Sequence, residues 1–136
     1  MKPFTDAKPV GEPMPDALFH SIVDDHDGLT YALKDPFSDE ILFRVVFRDA
    51  ISYRAADEGV LLAYWQGEMP DKAYAVWEVF SSEYIRWLEE VSCGANLEED
   101  GIRHFIVPTE NQCLEVLSLR EPEITMVPAN DETDGS

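Results

Sequence analysis

One stretch of the chain decides the fold: residues 74–94 read YAVWEVFSSEYIRWLEEVSCG. Its first seven residues, Tyr74 to Phe80, are rich in β-branched and aromatic side chains and are too few for a typical helix. They predict a central strand. From Glu83 to Ser92 the apolar residues recur at helical spacing, which predicts an amphipathic helix. The apolar face of this helix comprises Tyr84, Leu88 and Val91, with Ile85 and Trp87 on its flanks.

Both ends of this helix carry ordinary capping residues. Ser82 is a candidate N-cap, because its hydroxyl can accept a hydrogen bond from a first-turn amide. Gly94 is a candidate left-handed stop. These signals explain the two serines between strand and helix without a catalytic role.

Apolar runs and turn residues predict further strands on both sides of this stretch. Asp27-Gly28 is a strong turn dipeptide and predicts a hairpin. The segment from Cys113 to Leu119 suits either a short helix or the returning strand of a hairpin that turns at Glu110-Asn111, and we favour the strand. Since short loops join the strands, we expect an α+β fold with a mainly antiparallel meander sheet and one principal amphipathic helix packed on one face. The other predicted strands are Leu18–Val23, Leu29–Lys34, Ile41–Phe47, its continuation Ile51–Arg54, Val60–Trp65 and Ile102–Val107.

The length of 136 residues predicts a single domain with ends of different character. Residues 1–17 hold four prolines and are expected to form an extended leader. Residues 18–120 form the expected α+β domain. Residues 121–136 contain five acidic and no basic residues, which predicts an acidic, flexible tail.

The chain is strongly acidic, with 28 acidic and 10 basic residues and a formal net charge of −18. Such a surface repels nucleic acid and anionic membranes, so we expect neither as a partner. No run is long enough to span a bilayer. Cys93 and Cys113 lack paired spacing and predict free thiols in a cytoplasmic protein, although the sequence leaves a disulfide between them open.

Motifs of catalysis are absent from the sequence. There is no G-x-S-x-G elbow and no phosphate-binding glycine loop. Cys113 and His104 could meet across a hairpin, but acidic surroundings do not favour a thiolate. The acidic turn from Asp24 to Gly28 does not fit a calcium loop, because Val23 and Lys34 would stand at ligand positions. We therefore expect a protein that is not an enzyme, with no catalytic residues, no metal and no cofactor.

Two groups of residues are candidates for binding. The first is negative charge at the end of the helix and just after it, which could contact a basic protein or simply be a solvated face. Its members are Glu89, Glu90, Glu98, Glu99 and Asp100. The second is a set of tryptophans that could line an aromatic pocket between helix and sheet, namely Trp65, Trp77 and Trp87.

Four segments of the chain resemble a group of small acidic bacterial proteins of unassigned function. The segments are Phe47 to Arg54, Trp77 to Tyr84, His104 to Asn111 and Glu121 to Ile124, within residues 41–124. Proteins of this kind are similar to the immunity proteins of bacterial toxin systems, and the resemblance assigns no functional residue. It implies a non-enzymatic protein-binding domain, an immunity-type inhibitor of a basic partner. The alternatives are a small ligand-binding or enzymatic domain with an aromatic pocket, and a homo-oligomer joined through edge strands.

Overall fold

The computed structural model describes residues 6–13, 17–38, 40–56, 74–109 and 112–127. Within these ranges the chain forms nine β-strands and one α-helix. In chain order they are β1 (Asp6–Pro13), β2 (Leu18–Asp25), β3 (Gly28–Lys34), β4 (Ile41–Phe47), β5 (Ala50–Ala56), β6 (Tyr74–Phe80), α1 (Glu83–Val91), β7 (Arg103–Pro108), β8 (Cys113–Ser118) and β9 (Glu123–Met126). The predicted strand Val60–Trp65 lies outside the described residues.

The strands form two antiparallel sheets. One sheet has five strands in the order β1-β6-β7-β8-β5, and the other has four in the order β2-β3-β4-β9. The predicted α+β class, with antiparallel strands and one principal helix, is confirmed. The favoured strand interpretation of the segment after Cys113 is also confirmed.

The division into two sheets differs from the expected single meander, and the cause is a corner at Arg48 and Asp49. Here the chain leaves β4 and enters β5, which pairs with β8 in the other sheet instead of continuing β4. The Asp49 carbonyl accepts a hydrogen bond from the Leu119 amide at 3.3 Å. Gly28 lies against the corner: a Cβ there would be 2.7 Å from the Phe47 carbonyl oxygen, and its φ is +128°.

The main hydrophobic core lies between the two sheets. Phe47 of β4 and Phe105 of β7 meet across it with ring centroids 5.9 Å apart, and both side chains are fully buried. Burying one such side chain contributes about 1.5–3 kcal/mol. The core therefore holds the two sheets face to face. Its other large members are Leu29, Tyr31, Leu33, Phe43, Val45, Val107, Leu114 and Val116.

Both predicted end segments contribute a strand. In the leader, β1 pairs with β6, and its prolines are tolerated because β1 lies at the edge of its sheet. The first part of the predicted flexible tail forms β9, which pairs with β4, and Ile124 packs against the core. Residues 123–126 therefore belong to the sheet, which corrects the expectation of a flexible tail for this part of residues 121–136. Residues 128–136 lie outside the described part.

The helix α1 packs on the face of the five-stranded sheet that points away from the other sheet. Tyr84 and Ile85 are buried there against Ile102 and Leu117. Ser82 is the N-cap, as predicted, and its Oγ accepts a hydrogen bond from the Ile85 amide at 3.1 Å. Gly94 has a φ of +94°, in agreement with the predicted left-handed stop. Among the described residues, no helix combines the length and apolarity needed to cross a bilayer.

Candidate functional site: an acidic surface and the adjoining cleft

The structure brings together the two halves of the predicted acidic group. Glu89 and Glu90 lie in the last turns of α1, whereas Glu98, Glu99 and Asp100 lie in the turn that precedes β7. The Glu98 amide donates to Glu89 Oε2 at 3.1 Å, which joins the turn to the helix. We call these five residues the acidic surface.

The carboxylates of the acidic surface are mostly exposed and are not paired with any described cation. Four of them are exposed, and Glu89 is half-buried. Within the described ranges none of the five forms an ion pair, whereas four arginines are paired with carboxylates elsewhere. These pairs are Arg48–Glu123, Arg54–Glu115, Arg103–Glu78 and Arg120–Asp49.

Two apolar side chains of α1 are exposed beside this charge. Trp87 is 51% exposed and Val91 is 56% exposed, and they lie one helical turn apart. The predicted apolar face is correct for Tyr84 and Leu88, which pack on the sheet together with the flanking Ile85, but Val91 is exposed. A half-exposed tryptophan with a polar rim is typical of protein interfaces.

The three predicted pocket residues do not form a described pocket. Trp77 is half-buried in β6 against Tyr74, with ring centroids 5.7 Å apart. Trp87 contacts Tyr84 in α1, with centroids 6.1 Å apart. Trp65 lies outside the described residues. The aromatic pocket therefore stays a prediction.

Beneath α1, four polar side chains form a chain of contacts that we call the buried polar row: Ser82, His104, Glu115 and Arg54. Ser82 Oγ is 2.6 Å from His104 Nδ1, and His104 Nε2 is 3.0 Å from Glu115 Oε1. Arg54 holds the other end, with Nε 2.7 Å from Glu115 Oε2. The row therefore links the start of α1 to β7, β8 and β5.

The protonation states follow from burial and from these contacts. Burial lowers the pKa of His104 and outweighs the effect of Glu115, so the ring is neutral at neutral pH. Burial alone would raise the pKa of Glu115, but the close contact with His104 and the hydrogen bond from Arg54 reverse this and hold the pKa below its ordinary value. Glu115 is therefore an anion that faces a neutral imidazole and a guanidinium.

The position of Glu115 fixes the tautomer of His104. Because His104 Nε2 lies 3.0 Å from an oxygen of the Glu115 anion, the ring proton is on Nε2, and Nδ1 then accepts the Ser82 hydroxyl, whose oxygen also accepts the Ile85 amide. The Glu115 oxygen lies away from the direction of the N–H bond, which makes this a close polar contact rather than a well-directed hydrogen bond.

The order serine, histidine, carboxylate is also that of a nucleophilic triad. In this structure, however, Ser82 is 1% exposed and its oxygen is engaged as the cap of α1. The geometry thus assigns the row to holding the helix on the sheet.

The sequence-based pairing of His104 with Cys113 is wrong. His104 lies opposite Leu117, and Cys113 lies opposite Pro108 at the other end of the hairpin. The turn predicted at residues 110 and 111 determines this register, because each β7 residue pairs with the β8 residue that is equally far from the turn. That signal also places Glu115 diagonally next to His104. Cys93 and Cys113 are both free thiols.

A cleft of about 180 Å³ adjoins the acidic surface, between the start of α1, the facing ends of β6 and β7, and the turn before β7. Its apolar walls are Val79, Phe80, Ile85 and Ile102. Its polar lining includes Ser81, Ser82, Glu78, Glu98, Arg103 and His104. Neither Trp77 nor Trp87 lines it, so it is not the predicted aromatic pocket. Glu98 belongs both to the cleft and to the acidic surface.

The acidic turn between β2 and β3 offers a third group of ligand atoms. Asp25, His26 and Asp27 are exposed, and their ligand atoms lie within 4.8 Å of one another. Asp25 Oδ1 accepts the Asp27 amide at 2.9 Å, which is the hydrogen bond of an ordinary Asx turn. This group could hold a cation, but its contacts are those of the solvated hairpin turn that the sequence predicts.

Comparisons of this chain with protein-family models, with curated proteins and with solved structures find no match. The fold and the site define its class on their own. It is an α+β protein of two antiparallel sheets whose described helix ends beside exposed carboxylates that form no ion pair with a described residue.

Proposed function

We propose that this protein is a non-enzymatic protein-binding domain that binds a basic protein through the acidic surface and Trp87. In the form that its resemblance suggests, it is an immunity-type inhibitor that covers a basic site on a toxin. The free thiols suit a reducing, cytoplasmic setting.

The observation that supports this proposal is the combination of charge and exposure on one side of α1. Glu90 lies three residues after Trp87, so the two side chains are neighbours on the helix surface. Tryptophan supplies a large contact area, and surrounding carboxylates supply specificity for a cationic partner.

The net charge of −18 extends the effect beyond direct contact. An anionic surface attracts a basic partner over roughly one Debye length, about 8–10 Å at moderate salt. Association is therefore expected to be fast at low ionic strength and to slow as salt is added. The same field disfavours nucleic acid as a ligand.

The test is a binding measurement with purified basic proteins, beginning with the products of adjacent genes. Glu90→Lys with Glu99→Lys reverses two charges of the acidic surface. Asp24→Lys with Glu40→Lys is the matched control, since both residues are exposed on the side of the four-stranded sheet. Both double variants change the net charge equally.

Isothermal titration calorimetry should show a Kd about tenfold or more weaker for the first double variant, because like charges then face each other. The control should bind as the unchanged protein does, apart from a small long-range effect. Equal weakening by both variants would show that only net charge matters and would overturn the proposed surface.

A further inference from the structure

We propose that the cleft beside the acidic surface receives one long cationic side chain, lysine or arginine, of the basic partner. This inference rests on the proposed function and deepens it, because it gives the partner a specific anchoring residue. Four observations carry it: the volume of the cleft, its apolar walls, its excess of carboxylates and its shared residue Glu98.

The dimensions fit one side chain. Pockets for drug-sized ligands have volumes of roughly 300–1,000 Å³, and the cleft has about 180 Å³. Lysine and arginine bury a methylene stem along apolar surface and keep the charged group near polar atoms. Val79, Ile85 and Ile102 provide such a surface within the cleft.

The charges of the cleft favour a cation. Arg103 is the positive charge of the described lining, and it is already neutralised by two carboxylates. Its Nη2 is 2.7 Å from Glu78 Oε1 and 3.0 Å from Glu121 Oε1. Glu98 remains without an ion-pair partner in the described part of the chain, so the described lining has a net negative charge.

Two further groups adjoin the cleft. The Phe80 ring is partly exposed, but Lys8 Nζ already lies 5.5 Å from its centroid, so this ring does not add to the attraction for a second cation. The start of α1 would by itself attract an anion. However, Ser82 occupies the Ile85 amide, and Glu83 lies in the first helical turn, which reduces that attraction.

Glu98 connects the cleft to the proposed binding surface. Its carboxylate is exposed at the cleft, and its amide is bonded to Glu89 at the end of α1. A partner bound on the acidic surface would thus have the cleft within reach of one extended side chain. We expect that side chain to interact with Glu98 and the exposed Ser81 hydroxyl.

The test is a nuclear magnetic resonance titration of the full chain with N-acetyl-arginine N-methylamide. N-acetyl-citrulline N-methylamide is the matched control, because it has nearly the same shape without the charge. Amide shifts are expected at Ser81, Ser82, Glu98 and Ile102. Citrulline should bind about tenfold more weakly, which corresponds to one charge-assisted hydrogen bond.

Two variants sharpen the test. Glu98→Gln should weaken binding of the arginine probe about tenfold, whereas Glu40→Gln, at an exposed glutamate beside the four-stranded sheet, should leave it unchanged. The inference is overturned by equal binding of citrulline, by equal binding to Glu98→Gln, or by no shift at about 50 mM, where a millimolar ligand is nearly saturating. In those cases charge reversal at Glu90 and Glu99 would still decide the proposed function.

Discussion

The carboxylates on the two sides of α1 differ in whether they are paired with cations. On the side facing the sheet, Glu115 is completely buried and has both Arg54 and His104 within 3.0 Å. On the side facing solvent, Glu90 and its neighbours of the acidic surface form no ion pair with any described residue. In this fold the buried carboxylate is therefore paired with a cation, as burial of a charge requires.

This difference indicates what each set of charges is for. A buried carboxylate without a partner would cost several kcal/mol, so the buried polar row is explained by stability. An exposed carboxylate in the last turn of a helix, such as Glu90, is disfavoured by the helix dipole. The clustering of such carboxylates beside Trp87 is what the proposed function accounts for. The four predictions below test this contrast.

The largest effect is expected from Glu115→Gln. The substitution keeps the shape but leaves Arg54 and His104 without their anion, and we expect a loss of about 3 kcal/mol in the free energy of unfolding. The value lies at the lower end for a buried pair because Arg54 is 37% exposed and can still reach water. Urea unfolding followed by tryptophan fluorescence measures it.

An exposed ion pair supplies the control for this experiment. Glu123 pairs with Arg48 at 2.5 Å, but both side chains are more than half exposed. Glu123→Gln should leave the unfolding midpoint almost unchanged. If the two variants were equally stable, the buried polar row would not be what holds α1 on the sheet.

Trp87→Ala should produce the second-largest effect, and it should appear in binding and not in stability. Removing an interface tryptophan typically costs 2 kcal/mol or more, which is about a thirtyfold rise in Kd. Calorimetry with the basic partner measures this change, and urea unfolding should show a much smaller one, because half of the side chain is already in water. Trp77→Phe in β6 is the comparison and should leave the Kd unchanged.

Much of this contrast could be predicted from the sequence, since it depends on local patterns. The strand and helix of residues 74–91, the Ser82 cap and the position of the acidic residues all follow from spacing and capping rules. The hairpin turn that the sequence predicts at residues 110 and 111 also gives the observed register of β7 against β8. These features need only neighbours along the chain or across one hairpin.

The remaining features depend on how whole elements pack. At Arg48 and Asp49 the sequence predicts only a bend within one strand. The pairing of β5 with β8 in the structure shows that the chain changes sheets there. The contact of Ser82 with His104 requires α1 to lie across β7. The exposure of Val91 depends on where the sheet ends beneath the helix. Local sequence patterns do not determine these contacts between elements.

The third prediction concerns pH and the buried polar row. The pKa of His104 is lower in the folded protein than its ordinary value of about 6.5. As pH falls below about 6.5, the unfolded chain binds a proton that the folded protein does not, so the folded protein loses stability. Glu115 changes the stability in the same direction. Because its pKa is lower in the folded protein, further stability is lost once the pH falls below the ordinary pKa of a glutamate.

The measurement is the free energy of unfolding as a function of pH. The groups that face His104 are Ser82 and the Tyr84 ring from α1, Glu115 from β8 and, through Glu115, Arg54 from β5. His104→Gln should be less stable at pH 7 but should lose less stability between about pH 6.5 and pH 5. A variant with an unchanged slope in this range would assign the pH dependence to other groups.

The smallest effect separates stability from binding within the acidic surface itself. Glu90 lies in the last turn of α1, where negative charge opposes the helix dipole, so Glu90→Gln should raise the free energy of unfolding by a few tenths of a kcal/mol. The same variant should weaken binding of the basic partner. Glu83→Gln, in the first turn of the same helix, should instead lower stability, because negative charge is favourable there. A gain in stability from Glu90→Gln without any loss in affinity would leave this glutamate with neither a structural nor a binding role, and would restrict the interface to Trp87 and the turn before β7.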